Sequence, residues 1–246
     1  MDISFIIPAY NEEKYLSRCI ESILFELRRY PHLSWEIIVV NNASTDKTGE
    51  IARSYKEVTT IDEPKKGLVS ARQAGAAAAK GLLQAHIDAD NIVPKGWMQI
   101  VQEEFSQDPE LVALSGPLIY YELPKAERSV IKAYYGLGLA MHWFNQHVLH
   151  IGSLIQGGNF VVRNWAWAKM EKISPDFSFY GEDTILAKNL MKLGKVKFTF
   201  DLPIYSSSRR LKREGIIPTA LHYVSNFFSV TLFKRPATKK YKDIRQ

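Results

Sequence analysis

The sequence predicts an α/β protein with a mostly parallel central sheet flanked by helices. Short β-branched runs alternate with stretches of helical apolar spacing as far as Phe105, the pattern of strand–helix–strand crossovers. The loops that leave the successive strand runs, near Ala9, Asn41, Glu63 and Asp88, all carry polar or charged residues. In such sheets ligands bind beyond the carboxyl ends of the strands. A length of 246 residues, 46% hydrophobic and 12% aromatic, supports a sizeable core and fits neither a disordered nor a fibrous chain.

The elements follow in order. Ile3–Pro8 is an apolar strand, and Leu16, Ile20, Ile23, Leu24 and Leu27 repeat at helical spacing. Cys19, the one cysteine, falls inside that helix as a small buried hydrophobe, so neither an intrachain disulfide nor a cysteine zinc site forms. Glu36–Val40 and Val58–Asp62 are strands around a short helix, Thr45–Tyr55. The alanine-rich Val69–Lys80 is a strong helix former, Leu83–Asp88 a fourth strand, and Pro94 suits the first turn of a helix ending near Phe105. The second half is less regular. Leu111–Tyr121, Asn159–Arg163 and Val196–Phe200 read as strands, Ser129–Val148 and Asp183–Leu193 as helices. The expected organisation is one domain over 1–205, about 1–115 forming a nucleotide-binding half and about 116–205 an acceptor half, followed by a basic amphipathic extension over 206–246.

Charge is unevenly placed. Of the net +6, the segment from Arg209 onward carries +8, ten Lys/Arg against two Asp/Glu, and residues 1–208 carry −2. A near-neutral domain with a basic tail points to phosphates or an anionic membrane surface, not to nucleic acid. The amino terminus lacks a basic leader region, and no stretch offers the roughly 20 apolar residues of a spanning helix. A cytoplasmic protein is expected, associated with the inner face of the membrane through its tail.

The sharpest chemical feature is Ile87-Asp88-Ala89-Asp90, an apolar strand that ends in two carboxylates one residue apart. Such acidic oxygens suit a hard divalent cation, which fills its shell with substrate phosphates and water. Together with Ile6-Ile7-Pro8-Ala9-Tyr10-Asn11-Glu12-Glu13, Val39-Val40-Asn41-Asn42-Ala43-Ser44-Thr45-Asp46, Lys66-Gly67, Ala71-Arg72, Gly75, Gln156-Gly157-Gly158-Asn159-Phe160 and Gly181-Glu182-Asp183, it resembles, in order and spacing, the family 2 glycosyltransferases of the GT-A fold.

That resemblance implies transfer of a sugar from a nucleotide diphosphate to an acceptor hydroxyl with inversion at the anomeric carbon. Pro8, Ala9, Tyr10 and Glu12 line the base and ribose, Lys66 and Arg72 meet the base and diphosphate (or Lys66 is a solvated turn lysine), Asp88 meets the ribose or sugar, and Asp90 holds Mn2+ or Mg2+. Asp183 is the base and Glu182 an acceptor or sugar contact, or the two exchange roles. Gly157, Gly158 and Asn159 bring backbone to the donor sugar or acceptor, or simply turn the chain into the next strand. Arg209 and Arg210 either close over the diphosphate or begin the basic tail. The family's acidic pair at the second strand is Asn41-Asn42 here, so Asn42 faces the base with an amide that accepts or donates, and uracil, guanine and thymine all remain open. Asp46 either belongs to this region or favours a positive helix end.

Two other readings remain. A nucleotidyltransferase requires a glycine-rich, basic loop after the first strand, which Pro8-Ala9-Tyr10-Asn11 is not. A degenerate sugar-nucleotide-binding subunit is suggested by Asn41-Asn42 and opposed by Asp88, Asp90 and Asp183. The acceptor is expected to be a glycan or a lipid-linked species. Ala133–Val162 carries no Asp, Glu, Lys or Arg, and its His142 and His147 do not share a helix face. In the tail, Ile217, Leu221, Val224, Phe228 and Leu232 form one helical stripe beside Lys234-Arg235 and Lys239-Lys240. Such a helix lies on an anionic membrane, packs on its own domain, or forms a homodimer.

Overall fold

The computed structural model describes residues 1–124, 126–129, 131, 136, 155–174 and 181–233. Most of the helix expected over Ser129–Val148, the three histidines His142, His147 and His150, and the cations beyond 233 lie outside the described residues.

Apolar runs set the first half. Strand β1 (Ile3–Ala9) is buried along its whole length, as befits a central strand covered on both faces. Helix α1 (Leu16–Leu27) follows, then β2 (Trp35–Asn41), α2 (Thr48–Ser54), β3 (Val58–Asp62), α3 (Leu68–Ala78) and β4 (Leu83–Ile87). Next come β5 (Asn91–Ile92), α4 (Trp97–Gln107), β6 (Leu111–Ser115), β7 (Leu118–Tyr120), β8 (Asn159–Arg163) and α5 (Asn164–Lys169). The chain continues through α6 (Glu182–Met191), β9 (Lys195–Phe198), β10 (Ile204–Ser206), α7 (Arg209–Glu214) and α8 (Ile216–Phe233).

Among the described residues seven strands form the main sheet, in the order β3-β2-β1-β4-β8-β6-β9. All neighbours are parallel except those of β8, which runs against β4 and β6. A smaller sheet sets β10 antiparallel to β5 and parallel to β7. Alternation along the strands divides the core. Ile3, Phe5 and Ile7 meet the buried stripe of α1 and Trp97, Met98, Val101 and Phe105 of α4. On the other face Val112, Phe160 and Val162 meet Leu186, Ala187 and Leu190 of α6 and Val230 of α8. Gly75 lets α3 lie close on the sheet, since a Cβ there would come 2.5 Å from Ile6 Cγ2.

Two expectations are corrected. The strand read as Leu111–Tyr121 is two strands in different sheets. It breaks at Gly116-Pro117, where Pro117 has no N–H to donate and its carbonyl instead accepts from Ile204 N at 3.1 Å. Pro94 precedes α4 by three residues, and Gly96 with φ +89° begins the helix at Trp97. Glu26, 1% exposed within the apolar face of α1, caps α4 by accepting from Gly96 N at 2.9 Å and Met98 N at 3.0 Å. Of the stripe expected in the tail, Val224 on α8 is half-buried. Ile217 and Leu221 are exposed, whereas Thr219, Asn226 and Val230 are buried. Among the described residues no helix is long and apolar enough to cross a membrane.

Candidate active site

The carboxyl ends of β1 and β4, the turn before β8 and the start of α6 meet in one cleft. Beneath it Cys19 is fully buried, its thiol directed at the Asp88 carbonyl at 3.6 Å. Burial and the carboxylates of Asp90, Asp88 and Glu12 push that thiol well up, so it stays protonated. Asp88 and Asp90 follow β4 directly, and β5 then turns the chain away. Glycines set the walls. Gly158 has φ +77°, and a Cβ there would overlap the Asp88 carboxylate. Gly157 N donates to Asp183 Oδ2 at 3.1 Å, and a Cβ on Gly157 would lie 2.8 Å from both carboxylate oxygens.

Arg72, 3% exposed on α3, occupies the floor. Its Nη1 donates to Glu182 and lies 3.6 Å from Asp183 Oδ1, while Nη2 reaches Asp88 Oδ1 at 3.2 Å. Its guanidinium carbon stands 5.4 Å from the centre of the Phe160 ring. Burial opposes the charge, but Glu182, Asp88 and Asp183 hold the guanidinium firmly protonated. One cation does not neutralise three carboxylates. Burial pushes Glu182 up to about 8 against the pull of Arg72, with Asp183 and Asp88 adding to the rise. Asp183 is raised too, by burial and by Asp88. The Glu182–Asp183 pair therefore retains a proton well above the ordinary carboxylate range. Behind this cluster His86 is stacked between Phe160 and Trp167, each ring centre 4.5 Å away. Burial and Arg72 keep it neutral.

Arg209, at the start of α7, forms a shallower cluster. It pairs with Glu12 and reaches Asp90 Oδ2 at 3.1 Å, with its guanidinium carbon 4.8 Å above the Tyr15 ring. Ser206, at the expected head of the extension, ends β10, and Ser207 and Ser208 are buried behind it. Glu122 accepts from the hydroxyls of Ser207 at 3.2 Å and Ser208 at 2.9 Å, and from Lys212 Nζ at 3.2 Å. That brace, invisible in the sequence, fixes the turn that delivers Arg209. Among the described residues no three His, Cys, Asp or Glu side chains form a closed metal cage. Asp90 beside Asp88 instead fits a cation that takes its other ligands from phosphate and water.

Not every expected residue faces the cleft through its side chain. Pro8 and Ala9 end β1, and Tyr10 carries the Lys66 ammonium 3.8 Å above its ring. Asn42 is spent on the loop before α3. Its Nδ2 donates to the carbonyls of Glu63 at 3.0 Å and Lys65 at 2.8 Å, and its Oδ1 accepts from Gly67 N at 2.7 Å. It therefore braces the loop that bears Lys66, with both amide protons spent on backbone. Asn159 is fully buried, bonded to the Leu202 carbonyl at 2.8 Å and to Trp97 Nε1 at 3.2 Å. It joins the two sheets and leaves only its glycine neighbours at the cleft. Arg210 turns to Glu214 at 3.0 Å, one turn along α7. Asp46 accepts from Thr48 N at 2.9 Å and Glu13 N at 3.1 Å, so it ties α2 to the loop after β1.

The chain matches known proteins along much of its length. The family model described as glycosyl transferase family 2 matches residues 4–162. Dolichyl-phosphate beta-glucosyltransferase ALG5D of Trichomonas vaginalis is 31% identical over 168 residues, 63% of this chain and 49% of that protein. The uncharacterized glycosyltransferase EpsJ of Bacillus subtilis is 36% identical over 110 residues, 43% of this chain and 31% of that protein. The chain thus spans half or less of the length of these curated relatives. The mannosyltransferase PcManGT of Pyrobaculum calidifontis, solved with GDP-Man and Mn2+, shares the fold with a TM-score of 0.66 at 19% identity, over 94% of this chain and 61% of that one. Glucosyl-3-phosphoglycerate synthase of Mycobacterium tuberculosis, solved with Mn2+, UDP-glucose and phosphoglyceric acid, gives 0.63 at 18% identity over 96% and 81%. These likenesses bear out the expected GT-A fold, and with the family match running from β1 through most of β8, the chain belongs to glycosyl transferase family 2.

Proposed function

We propose that this protein transfers a sugar from a nucleotide diphosphate to an acceptor hydroxyl, with inversion, and that Asp183 is the base. One observation carries the reading: a single guanidinium, Arg72, touches both Asp88 and Asp183. The carboxylate expected at the donor and the one expected at the acceptor are therefore within one side chain's span. The acceptor oxygen bonds to the anomeric carbon as the bond from that carbon to the diphosphate oxygen breaks. The electron pair leaves with the nucleoside diphosphate, and the hydroxyl proton passes to Asp183. Manganese or magnesium held by Asp90 would offset the charge on the leaving diphosphate. Arg209 is placed to pair with the same phosphates once they draw it from Asp90.

In this reading about 1–115 binds nucleotide and 116–205 meets the acceptor, with the segment after Ser206 adding Arg209 to the donor side. UDP- and GDP-sugar complexes of the structural neighbours support the donor class. The dolichyl-phosphate relative supports a lipid-linked acceptor. Ile217 and Leu221, exposed one turn apart on α8 and preceded by Lys212 and Arg213, support peripheral contact with an anionic membrane. Loss of flotation with anionic liposomes in the I217E/L221E variant tests that contact.

The central test begins with thermal shift against UDP-, GDP- and TDP-sugars with and without Mn2+. Turnover of Asp183→Asn with the sugar that binds then follows. The expected result is retained nucleotide affinity and a kcat lowered about 10²–10⁴-fold. Unchanged turnover overturns the assignment of the base, and absence of any nucleotide-sugar binding or transfer by the wild type favours a degenerate subunit.

A further inference from the structure

We infer that Arg72 is a positioning residue: its guanidinium clamps Asp183 to Asp88 across the cleft and meets neither sugar nor phosphate. This inference rests on the glycosyl-transfer reading above and deepens it.

Burial comes first. At 3% exposure, with both terminal nitrogens directed at Glu182, Asp183 and Asp88 and its Nε buried, the group has little surface to offer a diphosphate. Connectivity comes second. Asp88 and Asp183 are 95 residues apart in sequence. On the opposite side both rest on the adjacent glycines of a single turn, Asp88 against Gly158 and Asp183 on the Gly157 N–H. The turn and the guanidinium together hold the two carboxylates in place. Shape comes third. A planar fork can face three carboxylates at once, whereas a lysine ammonium is a point charge on a flexible stem. Fourth is the wall behind it. Phe160 lies under the guanidinium and is itself stacked on His86, which Trp167 covers. A neutral imidazole between two rings adds no charge to compete for the carboxylates.

The test compares Arg72→Lys with the wild type by nucleoside diphosphate affinity in Mn2+ (calorimetry), steady-state kinetics, and amide exchange at the start of α6. Expected are a nucleotide affinity within about threefold of the wild type and faster exchange over residues 182–186. A kcat lowered about 10²-fold is expected, the loss that follows roughly 1 Å of misplacement. Added guanidinium should restore part of kcat to Arg72→Ala, and ethylammonium should restore less. If the loss lies in nucleotide affinity with kcat intact, Arg72 is a donor grip and the inference fails. It fails equally if Arg72→Lys turns over and exchanges like the wild type. Should single variants not fold, R72M/E182Q removes charge from both sides of the buried pair. A folded double variant with wild-type kcat also overturns the clamp. A wild type that transfers no sugar counts against the proposed function, and the exchange measurement still tests the clamp.

Discussion

Arg72 and Arg209 serve carboxylates of the same cleft from different depths. Arg72 lies under the floor among three acids, its side chain 4% exposed, and Arg209 lies at the rim between two, 18% exposed. The deep guanidinium has exchanged water for protein on every side, so its partners depend on it and it cannot leave. The shallow one keeps a path to solvent and can trade Asp90 for another anion. Two residues of one type, both plausible from sequence as phosphate contacts, thus divide into a fixed part and a movable part. Burial makes the division.

The largest expected effect breaks the comparison at its deep end. Arg72→Met should destabilise the fold by about 3–5 kcal/mol, because it strands buried carboxylates. Arg209→Met should cost about 1–2 kcal/mol, the scale of a charged hydrogen bond with solvent close by. Urea melts of both variants check this, and equal losses would erase the distinction.

Next is pH. Glu182 holds its proton up to about 8 in the fold but releases it near the ordinary 4.5 when unfolded. Across that window the native state binds more protons, so stability falls as pH rises. The wild type should therefore lose stability relative to Glu182→Gln between pH 5 and pH 8, by up to about 1.4 kcal/mol per pH unit. Paired thermal melts at the two pH values measure the slope, and a flat difference would mean that Arg72 neutralises Glu182 fully.

Gly158→Ala, with a strained φ and a Cβ pressed into Asp88, should cost about 1–3 kcal/mol and weaken nucleotide binding, read by melts and calorimetry. Smallest is Glu122→Gln. It should leave stability within about 1 kcal/mol of the wild type while loosening the turn that carries Arg209. Faster amide exchange over 207–212 would register it.

Much of the fold was legible where local pattern decides. Asn159–Arg163 and Val58–Asp62 were read residue for residue, since each is a short strand bounded by turns. The small sheet escaped notice, because β5 and β10 are two and three residues long and are defined only by partners remote in sequence. The site divides likewise. Motifs named Asp88, Asp90, Glu182, Asp183 and Arg209 and so gathered the cleft. They did not disclose that Asn42 and Asn159 are consumed by backbone, or that Arg72 is buried. Whether a polar side chain faces ligand or protein depends on packing that arrives from elsewhere in the chain, and spacing does not record it. Glu26 and Glu122 had no local signal, being ordinary acids within helix and loop.

The position of β10 between β5 and β7 bears on how the protein is made. During synthesis Glu12, Asp88 and Asp90 leave the ribosome first, and Arg209 follows 119 residues after Asp90. Domains fold from the amino-terminal side as they emerge, so the first half of the chain has its acids in place before their rim cation exists. The small sheet also waits, because β10 is its middle strand. A nascent or truncated chain that stops before Ser206 lacks both, and translation itself then sets the order in which the cleft is completed.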